Sequence, residues 1–381
     1  MSWSTRLATV AGIDIKVHAT FLLVLAFGAY TLGATGGWQG ALFGLLLTLL
    51  LFGSVALHEL GHSLVAKAVG VRVKEIVLLP IGGVAVMLGR PRKAWHELVI
   101  SLAGPAVNVA LAFGLGAFAI MGLWSGMLDI HDLRLTESVE PSLTALVAWL
   151  LTANLTLAVF NMVPAFPMDG GRVLRALLAM LIGHDRASGF ATRLGQVLAV
   201  ALGGFGLIAG NPMLALVGIF VFLGASQERV AEASRQALSG LRVGDVTERA
   251  SFALSSWQRV GDVAMATVGF PQRYYPVFDG NTIVGVLSRD AMMAAVAAGG
   301  VNLLVRDVMD DRVLRVREWD TVEDVLDRMQ AAEARVAIVA GRDRWVGMLS
   351  HEHALQAAQL LMVLRAAQAV PVVGPAVSLR A

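Results

Sequence analysis

His58, Glu59, Leu60, Gly61 and His62 form an H-E-x-x-H motif inside a strongly apolar run. On a helix of 3.6 residues per turn the two histidines stack on one face and can offer two imidazole nitrogens to one metal ion. Glu59 lies beside them, where a carboxylate suits a general base that takes a proton from water at the metal and passes it to a leaving amine. That is the chemistry of a metallopeptidase. A catalytic zinc takes three protein ligands and keeps a fourth position open, so a third ligand must come from elsewhere in the chain. With no cysteine present, it must be a histidine or a carboxylate. The other polar intrusion into apolar sequence runs from Asn161 to Arg172, NMVPAFPMDGGR. Pro164 and Pro167 cannot continue a regular helix, and irregular backbone at membrane depth survives only where protein buries it or a cavity is lined. Asp169 follows the break and is the expected third ligand. It is also placed to N-cap a helix starting at Gly170, and the two roles do not exclude each other.

The elements that must position these groups are membrane helices. Charged residues make up only 15% of the chain and apolar ones 56%, with a mean hydropathy of +0.69, which excludes an ordinary soluble protein. The apolar excess fills the first 226 residues; Lys, Arg, Asp and Glu become frequent after Glu228. A spanning helix needs roughly 20 apolar residues. Six spans are expected, at about 17–35, 40–69, 97–122, 143–163, 190–208 and 211–226. The first is read as retained, since no signal-peptide cleavage site is evident near it. Arg6 and Lys16 precede the first span, five basic residues from Arg72 to Lys93 follow the second, and Arg172, Arg175 and Arg186 follow the fourth. The segment between the third and fourth spans is acidic, with Asp129, Asp132, Glu137 and Glu140. The positive-inside rule then predicts cytosolic N and C termini in a multi-pass cell-membrane protein, with the motif in the cytosolic part of the bilayer. An ionisable group at bilayer depth costs about 2.5–3.5 kcal/mol on insertion scales, so three adjacent ones call for compensation such as a metal. A net charge of +2 and the absence of a long basic run exclude nucleic acid as a partner.

The polar half repeats itself at a constant offset. Val243-Gly244-Asp245-Val246 matches Val305-Arg306-Asp307-Val308, Asp262-Val263 matches Asp324-Val325, and Gly285-Val286-Leu287-Ser288 matches Gly347-Met348-Leu349-Ser350. Each unit reads as a short strand, a helix, two apolar strands and a helix, and repeats of this kind bury their faces against one another.

HELGH at 58–62 and NMVPAFPMDGGR at 161–172 resemble, in order and spacing, the two signatures of the site-2 protease family of intramembrane metalloproteases. GIDIKVHATFLL around the first span, IGGVAVM at 81–87 and SLAGPAVN at 101–108 look like further elements of that family. The resemblance implies that His58, His62 and Asp169 hold one zinc ion per chain and that Glu59 activates water. It also implies that the Asn161 amide steadies an oxyanion, an alternative being interhelical polar contact. A re-entrant β element with Ile81, Gly82, Gly83 and Val84 would offer its edge to an unwound substrate; without the family, Gly82 and Gly83 read as a turn. Gly104, Pro105 and Asn108 read as packing residues, His18 as structural, and His96, His131 and His184 stay unassigned.

The repeat resembles a tandem pair of cystathionine-β-synthase (CBS) domains, modules that often self-associate and often bind adenine nucleotides. The acid that usually contacts the ribose falls here at Ala291 and His353, with Asp290 one place early. That departure weakens the case for a nucleotide, while a regulatory or dimerising role does not depend on it. The expected architecture is therefore a membrane all-α bundle of about six transmembrane helices with a re-entrant β element, followed by a soluble α/β CBS pair. Its divisions are 1–226 for the bundle, 227–240 for a linker, 241–299 and 300–364 for the repeats, and 365–381 for a disordered tail. The expected activity is endopeptidase cleavage in or near a transmembrane helix of a membrane-anchored substrate. Rival readings are a non-catalytic receptor or scaffold that keeps the metal fold, and a channel gated by the repeats. The channel would line a path with its charges rather than set them at metal-ligand spacing.

Overall fold

A computed structural model describes residues 3–80, 82–89, 91, 93–129, 141–249, 252–270, 272–341 and 345–369, with side chains to 364. It divides into two compact units, Met1–Val230 and Ala231–Ala381.

The first unit opens with strands β1 (Ser4–Val10) and β2 (Ile13–His18), joined at Ala11 and Gly12, both with positive φ as a tight hairpin turn requires. Helix α1 (Phe21–Ala68) follows. Its 48 residues are two antiparallel arms, because the backbone leaves helical geometry at Gly37 (φ 61°, ψ −148°). Small residues let the arms touch: a Cβ on Gly44 would stand 2.1 Å from the Gly28 carbonyl oxygen, and one on Gly40 would stand 2.2 Å from that of Leu32. Farther from the bend the Phe21 and Phe52 rings meet with centroids 4.7 Å apart. The first two expected spans are thus the two arms of one helical hairpin.

Strands β3 (Arg72–Leu79) and β4 (Gly82–Leu88) then complete a four-stranded sheet in the order β1-β2-β3-β4, with β2 and β3 parallel and the other pairs antiparallel. The β element expected around 81–87 is therefore the edge of a larger sheet, and Ile81 itself lies outside the described residues. Helices α2 (Ala94–Trp124), α3 (Leu143–Asn161), α4 (Asp169–Ile182), α5 (His184–Ile208) and α6 (Pro212–Leu238) follow. Five of the described helices, α1, α2, α3, α5 and α6, are long and apolar enough to cross a membrane. With α1 counted as two arms this gives six passes. Phe27, Phe113, Ile120, Leu207 and Ile208 are exposed on their outer faces, as a lipid-solvated surface demands. At the α5–α6 turn the Asn211 side chain accepts a hydrogen bond from Leu214 N at 3.1 Å and caps α6. The segment 227–240, read as a linker, is occupied to Leu238 by the last turns of α6.

In the second unit β5 (Leu254–Ser255), α7 (Val260–Ala266), β6 (Tyr274–Asp279), β7 (Thr282–Ser288) and α8 (Arg289–Ala297) form one repeat. After the short α9 (Val305–Val308), β8 (Leu314–Arg317), α10 (Val322–Ala331), β9 (Val336–Ala340), β10 (Trp345–Ser350) and α11 (His351–Ala369) form the other. Each sheet has three strands, one parallel and one antiparallel pairing. The opening segment of each repeat is exchanged. Val243 sits in a core with Val316, Val322 and Leu349, while Val305 sits in one with Leu254, Val260 and Tyr275. Ile283, Val286, Val336, Ile338 and Met348 join the two sheets. The tail expected at 365–381 is helical to Ala369 and beyond that lies outside the described residues.

Gly44→Leu, which forces a side chain between the arms of α1, should destabilise the bundle by about 1–3 kcal/mol or more. Gly53→Leu, where nothing lies within 4 Å of the added Cβ, should be tolerated. Thermal unfolding of both variants in detergent provides the comparison.

Candidate functional site

The second arm of α1 carries His58, Glu59 and His62. Its buried face meets α2 at mutual glycines: a Cβ on Gly61 would lie 3.0 Å from the Ala103 carbonyl oxygen. One on Gly104 would lie 2.2 Å from His62 Nε2 and 2.6 Å from His58 Nε2. Gly104 therefore holds open the space into which both rings point. The third group arrives from the break between α3 and α4. Gly170 and Gly171 let the first turn of α4 fold against its own approach, since side chains there would strike the backbone of Met162, Val163 and Ala165 at 2.4–2.8 Å. Ala165 and Phe166 are buried as anchors of the loop. The helix cap is Met168, and Asp169 is the first helical residue. Its carboxylate turns to the imidazoles instead of capping its own helix.

His58 Nε2, His62 Nε2 and Asp169 Oδ2 form a triangle with sides of 3.1, 3.0 and 3.2 Å. All three residues are buried, and together they could hold a metal ion. A tetrahedral zinc with ligand bonds of about 2.0–2.1 Å sets its donors roughly 3.3–3.4 Å apart, within a few tenths of an ångström of this triangle. The opposite ring nitrogens are committed elsewhere. His62 Nδ1 donates to the Ile100 carbonyl oxygen at 2.6 Å, and His58 Nδ1 donates to Asn108 Oδ1 at 2.5 Å. Donation from Nδ1 leaves each Nε2 lone pair facing the shared point, the usual arrangement behind metal-ligating histidines.

Glu59 projects to the other side, against the sheet. A Cβ on Gly83 of β4 would stand 2.4 Å from Glu59 Cγ, so the edge strand passes directly over this carboxylate. Glu59 has no hydrogen-bond or ion-pair partner among the described residues. Gly82 and Gly83 are partly exposed and Val84 is exposed, on a strand with one side unpaired. Asn161 ends α3, and its amide also has no partner among the described residues.

The bundle around the site is tied by Arg175, which is buried and donates through Nε to Glu97 of α2 at 2.8 Å and through Nη1 to Glu228 of α6 at 2.5 Å. Its guanidinium also lies 5.0 Å from the Phe166 ring. Read in the sequence as a topology-setting base, Arg175 is instead a neutralised core group. Asn108 and Gly104, read as packing residues, stand against the imidazoles; the run of small residues in SLAGPAVN was the available signal. In the second unit a cleft of about 520 Å³ is lined by Tyr274, Ser288, Ala291, Asp310 and Arg335 among others. Asp290 lies outward, 3.8 Å from Arg273.

Residues 46–202 match the model of peptidase family M50. Zinc metalloprotease MJ0392 of Methanocaldococcus jannaschii is 31% identical over 364 residues, covering 95% of this chain and 98% of that protein. The chain belongs to peptidase family M50. It is a protease of that family with five described helices long and apolar enough to cross a membrane. Among solved structures, the site-2 protease from the same archaeon is 39% identical over 59% of this chain and 95% of its own, with a TM-score of 0.42. A hemolysin-like protein containing a CBS domain from Oenococcus oeni is 17% identical and covers 33% of this chain and 95% of its own, with a TM-score of 0.30.

Gly104→Ala would put a methyl group where the two Nε2 atoms converge. The variant should fold, yet metal analysis should find it depleted relative to the wild type.

Proposed function

We propose that this M50 protease is a zinc-dependent intramembrane endopeptidase that cuts a peptide bond within or near a transmembrane helix of a membrane-anchored protein. The carrying observation is the buried His58–His62–Asp169 triangle, with Glu59 beside it against the edge strand β4 and without a hydrogen-bond or ion-pair partner among the described residues. One zinc ion held by those three residues would supply Lewis acidity and lower the pKa of water toward neutrality. Glu59, with no hydrogen-bond or ion-pair partner among the described residues, takes the proton of the attacking water and returns it to the leaving amine nitrogen. Asn161 donates its amide to the oxyanion that develops on the scissile carbonyl. The peptide lies extended along Gly82, Gly83 and Val84, because a helical segment must unwind before its carbonyls can be attacked and strand addition holds it unwound.

Both termini are assigned to the cytosol. The basic residues that follow the second span support that orientation without help from Arg175. The repeated second unit is assigned as a regulatory CBS pair and a surface for homodimer formation. Its cleft is where an adenine nucleotide would enter. With Ala291 on the wall and Asp290 turned outward, the ribose lacks its usual carboxylate, so binding there should be weak or absent.

Glu59→Gln should retain metal and lose cleavage of a transmembrane substrate by at least about 10²-fold, the scale of general-base catalysis. Cleavage at the wild-type rate would remove Glu59 as the base. Titration of ATP or AMP into the full chain should give no heat and no shift in melting at about 0.1 mM; tight binding, with a Kd of about 1 μM, would contradict the reading of the cleft.

A further inference from the structure

A chain of hydrogen bonds leads away from His58 through two buried amides. Asn108 Nδ2 of α2 donates to Asn154 Oδ1 of α3 at 2.8 Å. Asn154 Nδ2 donates in turn to the Leu150 carbonyl oxygen at 2.8 Å and to Ser54 Oγ at 3.2 Å. Asn108 is 0% exposed and Asn154 1%, so water does not compete for either amide.

The direction of this chain is dictated from its far end. A backbone carbonyl oxygen can only accept, so the Asn154 group facing Leu150 must be the NH₂, and its oxygen must face Asn108. Asn108 must then present its NH₂ to Asn154 and its oxygen to His58. That oxygen can only accept, so His58 carries its proton on Nδ1 and presents an unprotonated Nε2 to the metal point. His62 reaches the same state in one step, by donating to the Ile100 carbonyl oxygen. Were Asn108 to turn over, its NH₂ would face the His58 ring and favour the tautomer with the proton on Nε2, which cannot ligate.

We propose that Asn154 is a positioning residue for the metal site, acting through Asn108 to hold His58 in the ligating tautomer. The proposal rests on the zinc reading above but not on any catalytic role of Glu59. Asn154→Leu removes the acceptor that fixes Asn108, whereas Asn154→Asp keeps one, since a neutral carboxyl group donates its O–H to the Leu150 carbonyl oxygen and accepts from Asn108 Nδ2 through its other oxygen.

The test is zinc affinity of the full chain in detergent, measured by chelator competition without substrate. Asn154→Leu should bind zinc at least about 10-fold more weakly, within the range for residues that orient metal ligands. Asn154→Asp should stay within about 3-fold of wild type, below the roughly 10-fold lower end of losses for residues that orient metal ligands. In an Asn108→Leu background, Asn154→Leu should cost nothing further, because its effect passes through Asn108. If Asn154→Leu does not fold, Asn154→Ala takes its place in the same cycle. Wild-type affinity in the folded Asn154→Leu or Asn154→Ala variant would overturn the proposal. So would Asn154→Asp failing as badly as Asn154→Leu, or the losses at 108 and 154 multiplying. A wild-type chain that binds no zinc would overturn the metal reading itself and this proposal with it.

Discussion

Two imidazoles and a carboxylate share one point inside a bundle whose outer surface is apolar, and the cost of burying them without water governs much of the architecture around them. Polar groups in such a place must be paired or must hold a cation. Each hydrogen-bonding atom of the two rings has a destination. The Nδ1 atoms donate to Ile100 and Asn108, and the Nε2 atoms face Asp169. The same demand explains why the buried Arg175 is paired with the buried Glu97, while its second partner, Glu228, is partly exposed. An unpaired charge at that depth would be far more costly than the paired group.

Close approach of backbones is the second requirement, and glycine supplies it where the site needs it. Gly61 lets α1 and α2 touch, Gly104 keeps open the space into which both rings point, Gly170 and Gly171 let Asp169 emerge from a proline-broken loop, and Gly83 lets β4 lie over Glu59. The result is a division of space. The metal point lies between helices, while Glu59 faces a strand with an open edge. The histidine–aspartate triangle and the Glu59 carboxylate thereby lie on adjoining sides of one helical turn.

Much of this was legible in the sequence because it stands out against lipid. Three polar residues in a helical run, and a proline-broken stretch leading to Asp169, are anomalies in an apolar sequence that call for burial against partners. The six passes were legible too, since the bend at Gly37 falls between the apolar runs at 17–35 and 40–69. What escaped depends on partners rather than patterns. Asn108 and Asn154 are single amides in apolar helices, and periodicity places a residue on a face without naming what it meets. Strands β1 and β2 escaped because the alternation of Ile13, Ile15 and Val17 runs straight into an apolar span. The repeat offset was plain, yet nothing in it reveals that Val243 and Val305 exchange cores. Residues 227–238 become polar without leaving the helix, so α6 runs through most of the segment read as a linker.

X-ray absorption at the zinc edge of the purified full chain tests the shared coordination point most directly. The expected spectrum has two imidazole nitrogens at about 2.0–2.1 Å and a carboxylate oxygen at about 2.0–2.2 Å, with the oxygen contribution altered in Asp169→Asn. A spectrum with no imidazole scattering, or one that Asp169→Asn leaves unchanged, would contradict it.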